Sequence, residues 1–245
     1  MKTKTGQSGL TLTEMVVVVS IVAAFTVLGL PAIRAFVRSV ESEGGTKAMI
    51  SASLSSARAI AAQRQRYAGI RFQNKYQPDG KGCQYMIFIV YDFDKTGLAN
   101  GFRAVEGVEP VKLSDSAGVM EAVSGDSDVD DASKLADKTT FSIIFSPAGK
   151  LVIHDVRVSN RNGNPTSKDD IFNTLANITN PTEPRGMFVE DNDVAALQEE
   201  PSKNSFRIYD KTVFDKLNPL SRFRDYLSSL EKLYINPYTG TMINK

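Results

Sequence analysis

Between Glu14 and Arg34 the chain carries no charged residue for 19 positions, Met15 to Ile33. Nothing else in its 245 residues restricts the fold as strongly. As a helix this run would be roughly 28 Å long, close to the hydrocarbon thickness of a bilayer, so it predicts one membrane span. Lys2 and Lys4 form a basic head, which predicts a cytoplasmic N-terminus and export of the rest. The small residues that suit a cleavage site, Ser8 and Gly9, stand before the run and not after it. A peptidase acting there would leave the apolar segment in the mature chain. Glu14 heads the run; a carboxylate at membrane depth is costly, so it is expected to need a partner.

Gly9 followed by Leu10-Thr11-Leu12-Thr13-Glu14 and an unbroken apolar run resembles the class III signal of type IV pilins and type II secretion pseudopilins. Pro31 matches a proline often found late in pilin-like hydrophobic segments, where the missing N–H favours a kink. Leu10 stands where phenylalanine is common, and Thr13 where a bulky aliphatic residue is usual. The resemblance implies cleavage between Gly9 and Leu10 by a prepilin peptidase that also N-methylates Leu10. It also implies that Glu14 and Pro31 are assembly residues, with Glu14 meeting the free amine of a neighbouring subunit's first residue. Opposite charges attract strongly in low dielectric, so this pairing would set the register between subunits. Two further stretches, "SSARAIAAQRQRYAGIRF" and "FSPAGKLVI", resemble the H-type minor pseudopilins and the related T-type fimbrial pilins. The resemblance covers about residues 9 to 159.

From Arg34 to about Gln65, apolar and small residues recur at helical spacing, among them Ile50, Leu54, Ala57, Ile60 and Ala61, and Gly44-Gly45 marks a bend. Strands are predicted in "GIRF", "CQYMIFIVYDF", "FRAVE", "PVKL" and "TTFSIIFSPAGKLVIHDVRVS", which are rich in β-branched and aromatic residues. Ser146-Pro147-Ala148-Gly149 reads as the turn of a hairpin. Residues 160–217 are rich in Asn, Asp, Pro and Lys and read as long loops. Leu220, Phe223, Leu227, Leu230 and Tyr234 then fall on one helical face between Asn218-Pro219 and Asn236-Pro237. Helix and strand signals predict an α+β fold, and the resemblance implies that it is pilin-like. A long N-terminal helix with a membrane-spanning first half packs on an antiparallel sheet domain, and a loop-rich, helical C-terminal extension follows. The boundaries are a leader at 1–9, an assembly half of the helix at 10–33, its periplasmic half at 34–66, a sheet domain at 67–159 and an extension at 160–245 with a helix near 219–235.

Catalytic constellations are weak. His154 is the only histidine, so triads and zinc clusters built on histidine have no second base or ligand to draw on. Cys83 is the only cysteine and cannot form an internal disulfide. Asp126, Asp128, Asp130 and Asp137 sit at calcium-loop offsets, but Asp131 occupies the glycine turn position and Asp137 replaces the bidentate glutamate. The segment reads instead as a solvated acidic loop. No enzyme activity, metal or cofactor is expected. A formal net charge of +1 argues against coating nucleic acid by bulk charge. A local patch of Arg58, Arg64, Arg66, Arg71, Lys75 and Lys81 would need a shared face to contact phosphates.

The function implied is that of a minor pseudopilin in a type II secretion pseudopilus, helping to export folded proteins. Its partners would be the prepilin peptidase and N-methyltransferase, other pseudopilins or pilins, and an inner-membrane assembly platform. The chain would cross the bacterial inner membrane once, with its C-terminal domain in the periplasm. The alternative is a minor type IV pilin acting in pilus assembly, adhesion or DNA uptake through the basic patch.

Overall fold

The computed structural model describes Met15, Val18 and residues 44–78, 82–164, 171–191 and 199–244. The chain divides into two compact units, Met1–Glu41 and Ser42–Lys245. In the first, Met15 and Val18 are helical and about half exposed.

The second unit opens with α1 (Gly45–Arg64), whose buried Ile50, Leu54, Ala57 and Ala61 fall three or four residues apart on one stripe. It stops at Gln65, whose φ of 51° is left-handed and whose N–H reaches Ala61 O. Fourteen strands are described, in chain order β1 (Ala68–Asn74), β2 (Gln84–Tyr91), β3 (Gly101–Ala104), β4 (Val111–Lys112), β5 (Ala117–Glu121), β6 (Phe141–Phe145), β7 (Leu151–Val152), β8 (Asp155–Val158), β9 (Phe172–Asn173), β10 (Phe188–Val189), β11 (Glu200–Pro201), β12 (Ser205–Asp210), β13 (Leu233–Ile235) and β14 (Met242–Asn244). The main sheet runs β11-β8-β3-β2-β1-β6-β7, with β4 added to β2. A second sheet runs β14-β13-β12-β5, and β9 and β10 pair separately.

Strand alternation sends the central strands into two cores. Ile70 and Phe72 of β1, Met86, Phe88 and Val90 of β2, and Phe141, Ile143 and Phe145 of β6 share one core with α1. The intervening Ile87, Ile89 and Ile144 face the other side, where they cluster with Val156 and Val158 of β8 in the same sheet and with Phe172 and Phe188 of the separate β9–β10 pair. A sheet covered on both faces explains why "MIFIV" and "FSIIF" are nearly continuous apolar runs. A third cluster, Met120, Val123, Val129, Tyr209, Phe214 and Leu227, packs behind β5 and β12. The two larger sheets are tied by the buried Gln84, which donates to Val119 O and Thr139 O and accepts from Val119 N, each at 2.7 Å.

The expected pilin-like α+β architecture is not the one found. The fold is mixed α/β, dominated by a curled half-barrel sheet with short helices. Among the described residues no helix is long and apolar enough to cross a membrane, and residues 10–33 lie outside the described ones apart from Met15 and Val18. The sheet is not purely antiparallel, since β3 pairs with β8, and β9 with β10, in parallel. The C-terminal part is not a loop-rich extension: β12 pairs along its length with β5, and β13 and β14 extend that sheet. Its partner strand lies some 90 residues upstream, a pairing that local composition does not reveal. The stripe at 219–235 also fails to make one helix. It breaks into a 3-10 turn at Pro219–Ser221, a helical turn at Arg222–Asp225 and a second 3-10 turn at Leu227–Ser229, and then Leu233–Ile235 pairs as a strand. Ser228 and Ser229 donate back to Arg224 O and Tyr226 O, the kind of local bonding that competes with helix continuation.

Candidate functional site

Gly9, Leu10, Glu14 and Pro31 lie outside the described residues, as does Lys81. The remaining cationic candidates are dispersed by the geometry of the elements that carry them. Arg58, mid-helix on α1, donates from Nε to Gly149 O at 2.8 Å and from Nη1 to Thr239 O at 3.2 Å. It clamps the helix to the β6–β7 turn and to the turn before β14. Arg71 points to the opposite face of β1 and is 2 % exposed. Its Nη2 meets Asp191 Oδ1 at 2.6 Å and its Nε donates to Gln73 Oε1 at 2.8 Å.

Arg64 and Arg66 do come together, at the C-terminal end of α1. Because Gln65 turns the chain left-handed, Arg66 swings back toward the end of β2, where Asp92 is 4 % exposed. Arg66 Nη1 lies 3.0 Å from Asp92 Oδ1, and Arg103 Nε on β3 lies 2.6 Å from Asp92 Oδ2. Burial pushes the Asp92 carboxyl up, but the hydrogen bonds and charges of Arg103 and Arg66 outweigh it and hold the group below the usual carboxylate range. Around this pair opens a cleft of about 390 Å³ walled by Arg64, Arg66, Lys95 and Arg103, with Asp92 and Asp94. Four cations against two carboxylates leave a surplus of positive charge. A neighbouring hollow of about 290 Å³ adds Tyr67, Tyr91 and Phe93, and Phe93 is 53 % exposed. The arrangement suits an anion flanked by a flat apolar group.

The acidic loop has internal work. Asp126 accepts from Phe223 N at 2.9 Å and Arg224 N at 3.2 Å, joining it to the C-terminal turns. Asp128 accepts from Ser124 N at 2.7 Å. Asp131 caps the Ala132–Thr139 helix through Lys134 N, and Asp130 pairs with Lys134 at 2.8 Å. Backbone hydrogen bonds, from Ser124 and Lys134 respectively, lower the Asp128 and Asp131 carboxyls. Among the described residues no group of three or more His, Cys, Asp or Glu side chains is placed to hold a metal ion. His154 lies against Tyr67, ring centroids 4.5 Å apart, with Nδ1 2.6 Å from Asp155 O.

Asp92 and Arg103 were missed in the sequence. "YDFDK", two acids alternating straight after an apolar strand, was the available signal for Asp92. For Asp191, the partner of Arg71 at a separation of 120 residues, there was none. No family model matches the chain, and no curated protein or solved structure matches it.

Proposed function

We propose that the chain is a minor pseudopilin of a type II secretion pseudopilus. In this reading it is cut after Gly9 and methylated on Leu10 by a prepilin peptidase. The apolar run holds it in the inner membrane, and Glu14 joins it to other pseudopilins at the assembly platform. The single observation that carries the reading is Gly9-Leu10-Thr11-Leu12-Thr13-Glu14 set directly before 19 uncharged residues. A separate compact unit at Ser42–Lys245 with its own cores agrees with a periplasmic head carried by that segment. The DNA-capturing pilin reading draws on the cleft of Arg64, Arg66, Lys95 and Arg103. It is weakened by the burial of Arg71 and the engagement of Arg58.

Terminal sequencing of the membrane-extracted protein is expected to begin at a methylated Leu10; a mature terminus beyond residue 30 would end the reading. Glu14→Ala removes a costly membrane charge and is expected to leave abundance and processing intact. It should nonetheless lower crosslinking to partner pseudopilins. Leaving one member of a buried pair unmatched costs about 3–5 kcal/mol, or roughly two to four orders of magnitude in association. Normal crosslinking alongside normal secretion would show that Glu14 is not an assembly contact.

A further inference from the structure

Both larger sheets end beside one apolar groove. β7 is the last strand of the main sheet and β14 the last of the second. Leu151 and Val152 of β7, Ile153 just beyond it, and Tyr234, Ile235 and Ile243 of β13 and β14 line a groove of about 360 Å³. Among the described residues no charged side chain lines it. Ile153 is 60 % exposed and Ile243 42 %. An end strand presents unpaired N–H and C=O groups, and folded proteins usually cover, shorten or charge such an edge. Here the cover is partial. Leu151 N–H donates to Pro237 O at 2.8 Å. Backbone groups two positions further along an extended chain face the same edge, and neither the N–H nor the C=O of Ile153 has a hydrogen bond among the described residues.

Cations stand at the rim. Lys150, next to Leu151, lies over Tyr238 with Nζ 5.4 Å from the ring centroid, and Lys232 Nζ lies 4.8 Å from the ring centroid of Tyr234. Neither lysine has a carboxylate partner among the described residues. An apolar floor, an open backbone edge and a positive rim together fit an extended segment whose alternate side chains are apolar and whose flanks are acidic. Self-pairing fits less well, because a two-fold contact of this edge with itself would set the lysines of one copy against those of the other.

We propose that the groove accepts an extended, acid-flanked strand of another protein, which continues the main sheet at Ile153 and lays its apolar side chains against Ile153 and Ile243. The site is independent of the filament reading, and its failure would leave processing after Gly9 and Glu14-dependent crosslinking untouched.

The test is fluorescence anisotropy on the full-length protein held in neutral lipid nanodiscs, so that no detergent competes for the groove. The probes are four labelled peptides that alternate threonine with valine, isoleucine, leucine or phenylalanine between aspartate ends. At least one is expected to bind saturably. The same peptide with lysine ends, and the same peptide N-methylated at alternate amides so that it cannot pair as a strand, should each bind roughly tenfold or more weakly. Ile153→Glu replaces an exposed side chain, so the unfolding midpoint should stay at the wild-type value while affinity for the acidic peptide falls at least tenfold. Absence of saturable binding by all four peptides would overturn the proposal. So would equal binding of the lysine-ended or N-methylated peptide, or wild-type affinity in Ile153→Glu. Self-association of the nanodisc-held protein that Ile153→Glu abolishes would assign the edge to a second copy and would overturn it too.

Discussion

Asp92 is a carboxylate kept charged in a buried place by two guanidinium groups, and its contribution to stability depends on that charge. Its pKa is lowered from 3.8 in the folded chain. The sign follows: a depressed carboxylate contributes its stability above its unfolded value, and the contribution is lost as pH falls through the lower folded value. Asp92→Asn is expected to cost about 1–3 kcal/mol at neutral pH, the range for a buried bond to a charged group. The gap between wild type and variant should close as pH drops below 3.8. Urea unfolding of both proteins across that range measures it, and a gap that stays constant would show that the charge is not what stabilises. The same scale explains why Arg58 and Arg71 do not join Arg64 and Arg66 on one face. Arg58 and Arg64 sit six residues apart on a helix, where each step turns about 100°. Arg71 sits on a strand whose alternate side chains go to opposite faces. Proximity along the chain says little about a shared face once the chain changes period.

At the level of elements, α1 shows what local pattern does reveal. The spacing of Ile50, Leu54, Ala57 and Ala61 is visible in the sequence, and those are the residues buried. Its end is less legible, because a glutamine gives no warning of a left-handed cap. Non-glycine residues pay about 1–2 kcal/mol in that conformation, and β-branched ones suffer most. Gln65→Gly should therefore be at least as stable as wild type, up to about 1 kcal/mol more so. Gln65→Val should lose about 1–2 kcal/mol. Denaturant midpoints rank the three, and a valine variant as stable as the glycine one would contradict the backbone argument. The β6–β7 hairpin was also readable, since Ser146-Pro147-Ala148-Gly149 carries a turn signature and Gly149 has φ 72° with its N–H on Ser146 O. The 219–235 stripe misled for a physical reason. Leu227 is buried, and Phe223 and Leu230 pack on the same cluster, so the spacing reported a core correctly. The competing claim of β12 on Leu233 and Tyr234 decided the conformation.

For the molecule as a whole, Ser42–Lys245 forms one compact unit, and the C-terminal strands are part of its framework. Phe206 and Leu233 lie in the same core as Ile50 and Leu54 of α1. A chain truncated to residues 42–245 is accordingly expected to unfold in a single cooperative transition, with circular dichroism and intrinsic tyrosine fluorescence giving one midpoint. Two separated midpoints, with residues 160–245 melting alone, would restore the view of an appended extension. What the sequence determined by itself was local: the uncharged run after Glu14, the helical stripe of α1, the apolar strands and the turn at Gly149. These depend on periods of 3.6 and 2 and on residue-specific backbone limits, which neighbours within a few positions express. What only the tertiary structure decided was the partnering of β5 with β12, of Arg71 with Asp191 and of Arg103 with Asp92. Two of these contacts bridge some 90 to 120 residues, and the third joins neighbouring strands across the sheet. Such pairings form because burial leaves each group no other partner, and burial belongs to the folded chain as a whole.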